Sequence, residues 1–237
     1  MRIEILYPEL CCLYGDKGNT MFLQQCLPDA EFVFTQLNDQ PRFLTDEVDL
    51  CCMYSMSEQS QERILQKLYP HKEQIAQCCS AGKTLFLLLG NAMELFGQYI
   101  QREDGSRIDG LCVFDIYSVR HAPKRFNSLI QAAFENLTLL GYTSRFSDTY
   151  NIPREMAFCQ VQIGTGSAPD TAWDGIHHGR VIATYLLGPL LVANPDFAKY
   201  LLRQLGIDNP RLPYEDALYK SYAYKRKEFQ RPDLVLE

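Results

Sequence analysis

Long apolar runs, an excess of basic charge and metal-type cysteine spacing are all missing from this 237-residue chain. The longest apolar stretch, Leu85 to Leu89, is strand-sized, whereas a membrane-crossing helix needs about 20 apolar residues. The opening Met1-Arg2-Ile3-Glu4-Ile5 lacks the apolar core of a secretory leader. Both absences lead to the expectation of a soluble, cytoplasmic protein without a membrane span. The formal net charge is -6, which argues against a broad basic surface for nucleic acid. No internal repeat, low-complexity tract or linker interrupts the chain, so one domain over residues 1–237 is the simplest organisation.

Histidine is scarce, with four residues, but there are nine cysteines. None of the cysteines forms a Cys-x-x-Cys pair, the usual zinc or redox spacing. Six stand as the neighbours Cys11-Cys12, Cys51-Cys52 and Cys78-Cys79. Adjacent side chains in a strand point to opposite faces, so such pairs do not converge on an ion. They read as reduced, small hydrophobic residues. No metal or cofactor is expected.

Hydrophobic residues make up 46% of the chain and charged residues 22%, enough for a sizeable core. Strand-type runs occur at Ile3–Tyr7, Glu31–Thr35, Val48–Tyr54 and Thr84–Leu89. Between them lie helical stretches reaching about Leu27, running from an N-cap at Ser57, and ending at a C-cap glycine, Gly82. This alternation predicts a parallel sheet covered on both faces. Further strands are expected at Leu111–Tyr117, Tyr142–Phe146, Phe158–Ile163 and Arg180–Leu186, and a helix from Asn194-Pro195.

Five landmarks carry a resemblance. They are Leu13-Tyr14-Gly15-Asp16-Lys17-Gly18-Asn19; Leu85 to Gly97; Gly110-Leu111 leading to Phe114-Asp115-Ile116-Tyr117; Gly175-Ile176-His177 leading to Ala183 through Pro189; and Asn194-Pro195 with Leu201-Leu202. In order and spacing they resemble the class I glutamine amidotransferases of the cobyric-acid-synthase type, nearest to the glutaminase subunit of lipid II isoglutaminyl synthase. The resemblance implies a three-layer, flavodoxin-like α/β fold with a mostly parallel sheet.

It also implies a mechanism that the residues do not supply. Such enzymes attack the glutamine amide with a cysteine thiolate, assisted by a histidine base and by backbone N–H groups around the oxyanion. The cysteine stands on a tight turn between strand and helix. Counting back from Gly97 puts the nucleophile position on Gly90 and the motif glutamine on Glu94. The histidine position holds Leu187, and the glycine-rich oxyanion loop is replaced by Tyr54-Ser55-Met56. Gly90 can adopt the positive φ of an elbow. Asn91 and Glu94 have capping-box spacing for a following helix. Leu187 is expected near the Gly90 turn, with Tyr54 or Met56 closing the third side.

Several features keep two readings. Arg125, in Lys124-Arg125-Phe126-Asn127, matches a family arginine beside the active site or is a solvated loop charge. With Glu94 and Asn91 it forms the candidate pocket set. His177-His178 is a proton or metal pair, or a loop before a buried strand. Gly15 to Asn19 is a phosphate-cradling loop without Walker spacing, or a turn that positions Asp16. Cys112 and Cys159 are the candidates for a displaced nucleophile. Tyr222-Ala223-Tyr224-Lys225-Arg226-Lys227 is a solvated helix face or a strip for an acidic partner.

The expected function is a glutamine amidotransferase-like protein inactive as a glutaminase. It would be a non-catalytic subunit or regulator of a Mur-ligase-type amidating partner in cell-wall precursor modification. The alternatives are an active glutaminase with a displaced nucleophile, and a protein that binds glutamine or a similar small molecule.

Overall fold

The computed structural model describes residues 1–235. Along the chain the main elements are β1 (Arg2–Leu6), α1 (Lys17–Cys26), β2 (Glu31–Thr35), β3 (Leu50–Met53), α2 (Glu58–Leu68), α3 (Lys72–Ala81) and β4 (Leu85–Leu89). Then come β5 (Tyr99–Gln101), β6 (Arg107–Asp109), β7 (Tyr117–Arg120), β8 (Phe126–Phe134), β9 (Leu137–Arg145) and β10 (Ser147–Tyr150). The last elements are β11 (Ala157–Ile163), β12 (Trp173–His178), β13 (Val181–Thr184), α4 (Leu190–Ala193), α5 (Pro195–Gln204) and α6 (Glu215–Glu228).

Nine strands form one sheet in the order β2-β1-β3-β4-β13-β12-β11-β8-β9. The half from β2 to β13 is parallel, with β1 between β2 and β3, and β4 between β3 and β13. Every residue of β3, β4 and β13 is buried. That follows from strands covered on both faces, which need near-continuous apolar sequence. The half from β13 to β9 is antiparallel. The sheet is therefore mixed, within the three-layer α/β class expected. A second sheet of four short strands, β10-β7-β5-β6, lies apart from it.

The β8–β9 hairpin pairs Phe126 with Arg145 through to Phe134 with Leu137. Only its far end was foreseen, at Tyr142–Phe146. Its connection is Glu135-Asn136, with Glu135 at φ 50, so the usual Asn-Gly or Asp-Gly turn signal is absent.

Other segments depart from expectation for local reasons. Residues 111–116 are not a strand. The backbone N–H of Leu111 donates to Leu95 O, and those of Val113 and Phe114 to Phe96 O, so this run caps the turn at 90–96 rather than joining a ladder. His177 and His178 close β12 instead of forming a loop. Gly90–Phe96 is a 3-10 helix. Its capping box is not made, because both candidate side chains are used elsewhere. The Ser57 cap is present: its hydroxyl accepts the Ser60 N–H at 3.2 Å. No helix among the described residues is long and apolar enough to cross a membrane.

Candidate functional site

The carboxyl ends of β3, β4 and β13 meet the loop before α1, as expected for ligand sites in open α/β sheets. Register fixes their neighbours: Met53 lies beside Leu88, and Thr184 beside Leu89. Gly90 follows β4 directly with φ 62, in the left-handed region that glycine enters without a Cβ penalty. A Cβ there would meet Ser55, at 3.0 Å from its Cβ, 3.4 Å from its Cα and closer still to its hydroxyl.

Both backbone donors of the 54–56 segment beyond Tyr54 are engaged. The Ser55 N–H donates to Asp16 Oδ2 at 3.0 Å, and the Met56 N–H to Asn91 Oδ1 at 3.0 Å. Asn91 returns a bond from Nδ2 to the Met56 carbonyl at 2.8 Å. It thus clamps Met56 by both polar groups, which is why it does not cap the helix. Tyr54 points the other way, and its hydroxyl accepts from Thr20 at 3.1 Å. Ser55 therefore stands over Gly90, in the place expected for Tyr54 or Met56.

Asp16 is fully buried. Burial lifts its carboxyl to about 6, opposed by hydrogen bonding from Ser55. Its second oxygen and the Ser55 hydroxyl have no hydrogen-bond partner among the described residues. Of the two readings of the Gly15–Asn19 loop, this geometry matches the turn that positions Asp16.

Glu94 is buried below the turn. It accepts from Tyr185 OH at 2.8 Å and from Gln61 Nε2 at 3.0 Å, and burial raises its pKa. Arg120 reaches the same group, donating to Gln61 Oε1 at 2.8 Å and to Glu62 at 2.8 Å. Arg102 and Arg120 hold Glu62 at about 2. A buried carboxyl ringed by these partners is a structural polar network.

Leu187 is buried and bridged by its backbone to Tyr142: its N–H donates to the Tyr142 carbonyl at 2.8 Å, and its carbonyl accepts from the Tyr142 N–H at 3.3 Å. Gly141 permits this approach, since a Cβ there would strike Leu186 Cδ1 at 2.8 Å and the Leu187 carbonyl. The Tyr142 hydroxyl donates to Tyr14 O at 3.3 Å, and Arg125 bonds to the Tyr14 hydroxyl. Arg125 also donates to Ser144 at 3.1 Å and lies 4.3 Å over the Phe146 ring. Gly90, Ser55, Met56, Asn91 and Asp16 thus form one contact group. Leu187 and Arg125 join the same 13–19 loop through Tyr142 and Tyr14.

The histidines are employed elsewhere. His177 packs against Phe134, Phe158 and Tyr200; His178 meets Phe114 edge-on; His121 pairs with Asp148 at 3.1 Å. Cys159 is fully buried, and burial pushes its thiol well above the ordinary value. Cys112 is exposed and its sulfur faces the Gly110 carbonyl at 3.7 Å. No group of three or more His, Cys, Asp or Glu side chains among the described residues could hold a metal ion. Sequence reading missed Gln61, Arg120 and Tyr185. Gln61 in α2 and Arg120 in β7 lie in ordinary helix and strand sequence that no local pattern marks, and Tyr185, just past β13, lies within a landmark run that gives no sign of its contact with Glu94.

No family model matches the chain. It is 25% identical over 232 residues to "Lipid II isoglutaminyl synthase (glutamine-hydrolyzing) subunit GatD" of Streptococcus pneumoniae (strain ATCC BAA-255 / R6), covering 94% of this chain and 89% of that protein. The protein of the same name from Staphylococcus aureus (strain N315) is 23% identical over 205 residues, covering 86% and 83%. Among solved structures, a glutamine amidotransferase superposes with a TM-score of 0.56 at 11% identity, over 86% of this chain and 100% of that one. PurLQS from Thermotoga maritima gives 0.55 at 12% identity, over 95% and 98%. A glutamine amidotransferase from Thermotoga maritima gives 0.52 at 11% identity, over 96% and 92%. Along nearly its whole length the chain is similar in sequence to the GatD subunit of lipid II isoglutaminyl synthase, and its fold is similar to that of glutamine amidotransferases of known structure.

Proposed function

We propose that this chain is a non-catalytic glutamine amidotransferase-like subunit, acting beside a Mur-ligase-type amidating partner in cell-wall precursor modification. One observation carries the loss of activity: the Ser55 side chain fills the space over Gly90 where a nucleophile would stand.

The chemistry supports the same reading. Glycine offers no nucleophile at position 90, and Leu187 offers no proton acceptor at the position of the base. An oxyanion needs free donors aimed at it, but the N–H groups of Ser55 and Met56 already bind Asp16 and Asn91. The buried and half-buried thiols fare no better as displaced nucleophiles. Burial raises the thiols of Cys11, Cys51 and Cys159, and those of Cys26, Cys52 and Cys79 to about 12. Such groups are thiols at neutral pH, and the thiolate is the attacking species.

The partner reading rests on the name of the curated relatives, which is that of a synthase subunit. Its test is affinity purification of the tagged chain from its own cell, followed by identification of what comes with it. Recovery of a Mur-ligase-like protein in fixed ratio supports the subunit role. A chain that purifies alone, with the ligase-like protein found elsewhere, contradicts it.

A further inference from the structure

A groove of about 640 Å³ opens between α1 and the carboxyl ends of β1 and β3. We propose that it binds a short zwitterionic peptide, two or three residues long, with apolar side chains. The proposal is independent of the glutaminase reading, because Tyr54 faces this groove while Ser55 faces Gly90.

Position comes first. The chain leaves β1 through α1 to β2 on one side, then returns to β3 on the other, since β1 lies between them. Ligands of open α/β sheets bind outside the carboxyl ends of strands at such a reversal. The volume falls within the range of small-ligand sites and exceeds what one amino acid fills.

The lining sets the chemistry. Ile5, Cys11, Met21, Phe34 and the Tyr54 ring make it largely apolar. Met21 and Phe34 are 52% and 44% exposed, although each is a large hydrophobic side chain with the groove to cover. Their exposure is a cost in water that an apolar ligand would relieve. At the floor the Tyr54 hydroxyl is already satisfied by Thr20, so it asks for no further partner.

Two opposite charges stand on this apolar surface. Lys17 has no hydrogen bond or ion pair among the described residues. It occupies the first position of α1, where the helix dipole disfavours a cation and no acidic residue of the first turn offsets it. Glu9 is fixed at the rim by the Leu37 N–H, which donates to one carboxylate oxygen at 2.7 Å. The matching occupant presents a carboxylate to Lys17 and an ammonium to Glu9, with apolar groups between them. A peptide with free termini has that arrangement.

The test is calorimetric titration of the full chain with Phe-Leu, its N-acetyl form and its C-terminal amide. The free dipeptide should bind, and each capped form should bind about tenfold more weakly or worse, as loss of one charge-assisted contact implies. Lys17→Met should remove the penalty for amidation alone, and Glu9→Gln the penalty for acetylation alone. Glutamine at position 9 keeps the acceptor for Leu37, and Lys17 is exposed, so both variants should fold. Absence of binding by Phe-Leu up to about 10 mM, or equal affinity for all three peptides, overturns the proposal. So does a preference unchanged in both variants. Sedimentation of the ligand-free chain as a dimer whose contact is lost on Phe34→Glu would assign the groove to a second copy instead.

Discussion

The Ser55 side chain occupies the space that any side chain on Gly90 would require. The residues at positions 90 and 55 are thus sterically linked. A side chain at position 90 requires the Ser55 side chain to shift. Gly90→Cys should destabilise the chain by about 2–4 kcal/mol, from left-handed backbone strain together with overpacking. Combined with Ser55→Gly, the overpacking part should disappear. Urea unfolding of the two single variants and the double variant measures this, and the linkage requires a favourable coupling of about 1 kcal/mol or more. Strict additivity would show that the two residues do not compete for space.

The pH dependence of stability should carry components of opposite sign. Asp16 is raised by burial to about 6 from an ordinary 3.8. The folded state therefore holds its proton more tightly, and stability falls as pH rises between about 4 and 6, by up to about 3 kcal/mol. Glu62 is depressed to about 2 by Arg102 and Arg120. Its contribution is complete above about 4.5 and is lost as pH falls toward 2. Asp16→Asn keeps an acceptor for the Ser55 N–H and should reduce the fall between 4 and 6, leaving the part owed to Glu94 and Asp174, whose carboxyls burial also raises. An unchanged slope in that variant would place the titrating group elsewhere.

Arg120 is the counter-charge within the polar network under the turn, bonded to Glu62 and Gln61 and coulombically linked to Glu94. Arg120→Met leaves Gln61 Oε1 without its donor and removes one of the two guanidinium partners of Glu62, which keeps Arg102. The substitution should cost about 1–3 kcal/mol, as for a buried acceptor left unsatisfied. Denaturant midpoints of wild type and variant decide this; a loss below about 1 kcal/mol would mean that solvent already shields the network.

How much of this arrangement was legible in the sequence depends on how local each signal is. The parallel half was readable because β3 and β4 are short, nearly all-apolar runs that alternate with helical segments. Gly90 was readable from its place after Leu89. The long β8–β9 hairpin was largely hidden, since Glu135-Asn136 is an atypical turn and β8 mixes Asn127, Ser128 and Gln131 with apolar residues. The occupant of the space over Gly90 was assigned to Tyr54 or Met56. Sequence order could not show that Asn91 clamps Met56 while Tyr54 turns to Thr20. Contacts such as Ser55–Asp16 and Arg120–Gln61 join residues far apart in the chain, so neither partner alone announces them.

Cysteine reactivity separates a dead site from a moved one. Of nine cysteines, Cys12 and Cys112 are exposed, while Cys11, Cys51, Cys52, Cys79 and Cys159 are buried. A thiol reagent should modify Cys12 and Cys112 first in the folded chain, and the five buried ones only on unfolding. Peptide mass mapping over time gives the order. Rapid labelling of a buried cysteine, suppressed by glutamine, would reveal an activated thiol and a site not described by this geometry.

Glutamine hydrolysis tests the central claim most directly. Ammonia release is measured with the purified chain at neutral pH, alone and with a co-expressed Mur-ligase-like protein. The account predicts no release above the uncatalysed background in either case, because position 90 has no nucleophile and the neighbouring N–H donors are engaged. Turnover by the unmodified chain that vanishes when one of its nine cysteines is changed to serine would contradict it.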